Sequence, residues 1–182
     1  MSKQKVLIIG GGFGGIKTAL DLYKDNRFSV SLMSDQLSFR YNPSLYHTAT
    51  GGKKIIASLP LSEIFDDKDI DFIHAKAARL NRENKTITTA GGETIAFDTL
   101  VLALGVQTNY FGIKGLETYS YGIKTLRDAE KLKAHLHQQL IEENRPDLNY
   151  IVIGGGPTGV ELAGTLPSYL KKICKQHGIK RR

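Results

Sequence analysis

One cysteine, Cys174, in 182 residues leaves no internal disulfide, no C-x-x-C redox pair and no cysteine-rich metal centre. That scarcity points to a reducing, cytoplasmic setting. No apolar run approaches the ~18 to 20 residues of a membrane span. The run that follows the amino terminus is four residues long before glycine, too short for a signal peptide. His47 has no second histidine or acid at metal-ligand spacing. His47 and His74 stand alone as packing or structural residues, and His135 and His137, two apart, cannot share a helix face. No catalytic triad or carboxylate pair is present. Only Tyr110 has a lysine four residues on, Lys114, and the pair lies in the glycine-containing stretch NYFGIKGL, read as loop and not as the helix that carries the Tyr-x-x-x-Lys pair of simple short-chain dehydrogenases.

Acid is also missing where the positive charge collects. The formal charge is +7, yet Lys171, Lys172, Lys175, Lys180, Arg181 and Arg182 supply six positive charges with no carboxylate among them, which leaves residues 1–170 near +1. A cationic helix end complements the dipole of that helix, so the tail is a solvated end and no nucleic-acid partner is expected.

What is abundant is glycine in register. Val6 to Ala19, VLIIGGGFGGIKTA, reads as a buried strand, a glycine turn and a helix start, with Gly10, Gly12 and Gly15 in G-x-G-x-x-G. The first glycine permits the tight turn, the second lets backbone approach a pyrophosphate, and the third allows close helix-to-strand packing. The helix N-terminus then offers free N–H groups to the phosphates. Residues 149–166, NYIVIGGGPTGVELAGTL, repeat the arrangement with Gly154, Gly156 and Gly159 at the same offsets. Pro157 suits a helix start, where its missing N–H has no intrahelical partner.

Between the two units, 28–33 alternate as a strand that delivers Ser34 and Asp35 to its carboxyl end. An acid at this distance past the first glycine accepts hydrogen bonds from a ribose 2′-hydroxyl. Asp35 is the carboxylate available, but Ser34 stands in the usual position, and an exposed loop aspartate is the alternative. Residues 37–52 form a loop with a short helix, and Ser62 begins a second short helix. A strand is expected over 71–77, a hairpin over 85–97 about Gly91 and Gly92, and a strand over 99–104 that ends at Gly105. Leu126, Ala129, Leu132, Leu136 and Leu140 predict a helix to residue 141. The apolar face Val160, Ala163, Leu166, Leu170 and Ile173 of the last helix has little chain left to cover it, and self-association through 150–174 is expected.

VLIIGGGFGG, PSLYHTATGG, TLVLALGVQTNYFGIKGLE followed by KTLRDAEKL, and IVIGGGPTGVELAG together resemble the FAD-dependent pyridine nucleotide-disulfide oxidoreductases, and within them the type II NADH dehydrogenases. The likeness covers nearly all of this chain and the N-terminal part of such an enzyme. It implies an α/β fold: a Rossmann-like FAD-binding domain with a parallel sheet and a β-hairpin or meander (1–116), a connecting helix (117–147) and the first βα unit of an NAD(P)-binding Rossmann domain (148–182). By the same likeness Gly10, Gly12, Gly14 and Gly15 take the FAD pyrophosphate and Asp35 the adenosine ribose. Ala77 presents backbone to the adenine, and Ala103 and Gly105 line the flavin site. Gly154, Gly156 and Gly159 take NAD(P)H, with Glu161 near the nicotinamide as the catalytic-site residue. Two departures stand out: Ser34 replaces the acid at the end of the second strand, and Ala103-Leu104-Gly105 replaces Ala-Thr-Gly.

The function implied is hydride transfer from NAD(P)H to FAD, with electrons passed on to a quinone or similar acceptor, in a protein that is soluble or peripheral to a membrane. In such chemistry the protein mainly positions cofactors, which agrees with the missing triad, metal cluster and carboxylate pair. The alternative is a non-catalytic FAD-binding or assembly module.

Overall fold

The structure is a computed structural model that describes residues 2–52 and 58–180. In chain order its elements are β1 (Gln4–Ile9), α1 (Phe13–Leu22), β2 (Phe28–Ser34), β3 (Ser38–Arg40), a 3-10 turn (Asn42–Ser44) and α2 (Leu45–Ala49). There follow β4 (Ser58–Pro60), α3 (Leu61–Ile64), β5 (Ile70–His74), β6 (Ala77–Asn81), β7 (Thr86–Thr89), β8 (Thr94–Ala96) and β9 (Thr99–Leu102). The chain then forms α4 (Leu116–Tyr119), α5 (Leu126–His137), a π-helical turn (Gln138–Glu142) and α6 (Pro157–Gln176).

Contacts divide the chain into Met1–Arg40 with Ser58–Val106, and Tyr41–Ala57 with Gln107–Arg182. This grouping differs from the expected segments. The short helix α2 follows its packing rather than its place in the sequence: Leu45 and Ala49 bury with Ala129 of α5.

In the first unit, β5, β2, β1 and β9 form a parallel sheet in that order. A parallel sheet is covered on both faces, so its inner strands read as continuous apolar runs. Val6 and Ile8 of β1 pack with Ile16 and Ala19 of α1, and with Val30 and Leu32 of β2. The alternate residues Leu7 and Ile9 pack with Met33 and Ile87 on the opposite face, closed by Ile95 and Phe97 around the antiparallel meander β6-β7-β8. Each such side chain contributes on the order of 1.5 to 3 kcal/mol when fully buried. The expected hairpin about Gly91 and Gly92 is the β7-β8 arm of this meander. The short helix near residue 62 begins at Leu61, with Pro60 in the capping position and no side-chain cap from Ser62.

In the second unit α5 starts from a reciprocal capping box: Thr125 Oγ1 accepts the Asp128 N–H at 3.2 Å, and Asp128 Oδ2 accepts the Thr125 N–H at 2.9 Å. Leu136 of α5 and Leu140 of the π turn then bury against Leu166, Tyr169, Leu170, Ile173 and Cys174 of α6. This corrects the expectation that α6 would lack cover: Leu166, Leu170 and Ile173 are enclosed by the chain's own preceding helix. Val160 and Ala163 remain exposed, and so do Lys171, Lys172 and Lys175 on the other side of α6. The expected strand at Tyr150–Ile153 pairs with no neighbour among the described residues.

Between α5 and α6, His137 Nε2 lies 2.8 Å from Tyr169 OH. Burial holds the His137 pKa below its ordinary value of 6.5, helped by the nearby charges of Lys133 and His177, and burial pushes the Tyr169 phenol up. Because the folded-state pKa lies under the unfolded one, His137 costs no stability above pH 6.5. As pH falls through that value, the unfolded chain takes the proton more readily and stability is lost. The expected result is a melting temperature that declines between pH 7.5 and 5.5 more steeply in the parent than in His137→Gln, measured by circular dichroism; equal slopes would reject the assignment.

Candidate nucleotide-binding sites

The two glycine turns have one geometry. Gly10 has φ +119° and Gly154 φ +109°, values that disfavour a side chain. A Cβ on Gly15 would meet Gly10 O at 1.9 Å, and a Cβ on Gly159 would meet Gly154 O at 2.1 Å. The helices start alike: Gly12 caps α1 and Gly156 caps α6, both extended, with no side-chain cap and no acid in the first turn. Their first N–H groups therefore keep their partial positive charge for an incoming anion.

Two of the three glycines in each turn are thus explained by the fold, and the middle one is not. A Cβ on Gly12 or on Gly156 would meet nothing within 4 Å, and both have ordinary extended backbone. Among the described residues no protein atom requires a bare Cα at either place. That open space at a helix start is compatible with a pyrophosphate approaching the backbone there.

The first turn is held to the sheet end by the Gly10 N–H, which donates to Met33 O at 2.8 Å, and by the Ala103 N–H, which donates to Ile9 O at 2.8 Å. Ala103 O crowds Gly10, 2.2 Å from a Cβ placed there. Gly105 has φ +74° with open space around it, so conformation rather than packing selects glycine. Gly14 is different again, since a Cβ there would touch Ala103 Cβ at an ordinary 3.8 Å.

Of the remaining expected site residues, Asp35 is exposed and its carbonyl accepts from His74 Nε2 at 3.4 Å. Ala77 opens β6 opposite Thr89, two residues past Ala75, whose N–H donates to Ser34 O at 3.0 Å. Glu161 is exposed on α6 beyond the first turn, with its backbone carbonyl accepting from Thr165 Oγ1 at 2.9 Å. Gly11 was not singled out by the motif, because it fills a free position of G-x-G-x-x-G. A Cβ there would press on Ser34 Oγ at 2.9 Å and Leu61 Cδ1 at 3.1 Å. Beside the turn, Phe13 meets the ring of Phe39 edge-on at 4.9 Å. Among the described residues no cluster of ligating side chains is placed to hold a metal, and no helix is long and apolar enough to cross a membrane.

A parallel sheet whose first strand runs through a glycine turn at its carboxyl end into a helix defines a Rossmann-type α/β fold, and the turn-helix geometry recurs at Gly154 and α6. The chain belongs to the pyridine nucleotide-disulphide oxidoreductase family, which matches residues 4–178. It is 28% identical to a type II NADH:quinone oxidoreductase of Staphylococcus haemolyticus, an alignment that takes in 97% of this chain and 46% of that one. It is 29% identical, with the same coverage, to the enzyme of that name from Staphylococcus saprophyticus. Among solved structures, the sulfide:quinone oxidoreductase of Aquifex aeolicus superposes with a TM-score of 0.75 at 31% identity, over 93% of this chain and 40% of that one. NDH2 from Plasmodium falciparum shares the fold, with a TM-score of 0.81 at 23% identity over 97% of this chain and 39% of that one. The chain spans about half the length of the curated relatives it matches.

Proposed function

We propose that this chain carries the FAD-binding part and the beginning of the NAD(P)H-binding part of a flavin-dependent NAD(P)H oxidoreductase, with a quinone or similar molecule as electron acceptor. The open space over Gly12, at the start of α1 and at the carboxyl end of the parallel sheet, carries the proposal. The relatives named above support it. When bound, FAD supplies the hydride-accepting and electron-releasing chemistry.

The chain's own part is to bind and orient. Gly10, Gly12 and Gly15, with the start of α1, hold one pyrophosphate; Gly14, Ala103 and Gly105 border the same turn, and Ala77 offers backbone to the adenine. Gly154, Gly156 and Gly159, with the start of α6, hold the second nucleotide, and Glu161 faces its nicotinamide end. The setting proposed is cytoplasmic, peripheral to a membrane in the complete enzyme. Self-association, proposed from the same apolar surface as before, is confined to 150–163, since the rest of the α6 face is covered.

Burial of the two repeats favours a second reading for the 182 residues on their own. Leu7, Ile9 and Ile16 are 2%, 5% and 8% exposed, whereas their counterparts Ile151, Ile153 and Val160 are 86%, 69% and 62% exposed. A second turn without sheet neighbours is poorly set to hold a nucleotide, so this stretch of chain by itself is a flavin-binding module without NADH oxidation. Titration with FAD and then with NADH under anaerobic conditions, followed by flavin absorbance, tests both. Flavin uptake is expected; its absence would defeat the proposal. Bleaching by NADH would reject the non-catalytic reading, and persistent colour would support it.

A further inference from the structure

Away from the glycine turns, the second unit holds an open cavity of about 310 Å³ lined by Thr48, Gly52, Glu130, Lys133, Ala134 and His137. That is the small end of the ~300 to 1,000 Å³ typical of ligand pockets. Glu130, Lys133, Ala134 and His137 follow one another at three- and four-residue steps along α5 and so share one of its faces. Thr48 comes from α2, which is fixed to α5 by the burial of Leu45 and Ala49 with Ala129. Thr48 is 2% exposed, and its Oγ1 has no hydrogen-bond partner among the described residues. A hydroxyl at a helix can satisfy itself on the carbonyl four residues back, as Thr50 Oγ1 does on Tyr46 O at 2.9 Å. Thr48 forgoes that bond, and an unpaired buried hydroxyl is costly unless a group from outside completes it.

The charges of the lining narrow the class of ligand. Lys133 forms no ion pair among the described residues. His137 already has a partner in Tyr169 OH at 2.8 Å, and burial together with the charge of Lys133 holds its pKa below 6.5. The cavity therefore offers one cation and one hydroxyl donor. Glu130 is the acid of the lining, and its charge opposes a ligand that carries more than one negative charge. The Ala134 methyl and the methylene stem of Lys133 supply apolar wall. We propose that this cavity binds a small organic monocarboxylate, with Thr48 Oγ1 and Lys133 Nζ donating to the carboxylate and the apolar body of the acid lying along Ala134. Every lining residue belongs to the second unit, so the inference is independent of the flavin reading.

Titration of the whole isotope-labelled chain with benzoate, hexanoate, benzamide and phosphate, followed by backbone amide chemical shifts, tests this in the parent, Thr48→Val, Lys133→Gln and Lys131→Gln. Benzoate or hexanoate is expected to move the amides of Thr48, Lys133 and Ala134 and to saturate at about millimolar concentration. The neutral benzamide and the dianionic phosphate are expected to leave those amides in place. Thr48→Val removes a buried hydrogen bond to a charged group and should weaken the carboxylate about ten-fold. Lys133→Gln removes a half-exposed ion pair and should weaken it about five-fold, while Lys131→Gln, on an exposed position of the same helix, should leave it unchanged. Without ligand, Thr48→Val is expected to melt no lower than the parent, since the hydroxyl it deletes has no bond to lose. A lower melting temperature would show that the hydroxyl is already satisfied and would overturn the proposal. So would the lack of a saturating shift at Thr48 with both carboxylates, or an equal shift with benzamide or phosphate. Binding that neither Thr48→Val nor Lys133→Gln weakens would belong to exposed lysines and would overturn it as well.

Discussion

Gly12→Val is expected to keep the fold and lose the flavin. Gly12 has φ −94° and ψ −169°, a conformation valine adopts readily, and a Cβ there would meet no atom within 4 Å. The folded chain therefore has room for the substitution, and exchanging the glycine cap of α1 for valine should lower stability only modestly, by about 1 kcal/mol or less. The branched side chain fills the place where the pyrophosphate must approach backbone, and FAD affinity should fall by about 100-fold or more, near 2.7 kcal/mol. Fluorescence titration with FAD beside a thermal melt checks both halves. A variant that binds flavin like the parent removes Gly12 from the site, and one that unfolds removes the claim that packing is indifferent there.

Gly15→Ala is expected to do the reverse. Its Cβ would stand 1.9 Å from Gly10 O and 3.1 Å from Gly10 C, inside any permitted contact, so α1 must move away from β1. Forced overpacking of this kind costs about 3 kcal/mol or more, a large share of the ~5 to 15 kcal/mol that stabilises a domain. Urea denaturation should show an unfolding free energy lower by that amount, read as an earlier midpoint. Gly14→Ala is the control: an ordinary 3.8 Å contact with Ala103 Cβ awaits it, and alanine is the better helix former by about 1 kcal/mol. Equal midpoints for Gly15→Ala and Gly14→Ala would contradict the packing account.

These neighbouring glycines also mark how far the sequence could be read. The offsets of Gly10, Gly12 and Gly15 identify a turn, because each local requirement is written at a fixed spacing. The run Val6 to Ile9 identifies a strand buried on both faces, and the alternation of 28–33 its neighbour. Partners across space are another matter. The apolar period of α5 and that of α6 were both visible, but periodicity names a face and not what lies against it, so the union of Leu136 and Leu140 with Leu170 and Ile173 went unforeseen. Tyr150–Ile153 has the composition of a strand; a ladder is a property of two segments, and the second is missing among the described residues. The choice between Ser34 and Asp35 turns on a single residue of register at a strand end, where one step reverses the side-chain direction. Gly11 was silent for a related reason: its need for glycine comes from Ser34 and Leu61, distant in sequence and adjacent only after folding.

The exposure of Ile151 and Ile153 has a consequence for handling the protein. Asn149 to Gly154 joins tyrosine, isoleucine and valine without a charge or proline, and its backbone forms no ladder among the described residues. Unpaired apolar strands of this composition template pairing between molecules. At high concentration the expected result is cross-β association seeded from this hexapeptide, detectable as thioflavin fluorescence that grows with concentration. A lysine in place of Ile151 or Ile153 interrupts such a segment with charge and leaves every residue of the first glycine turn untouched.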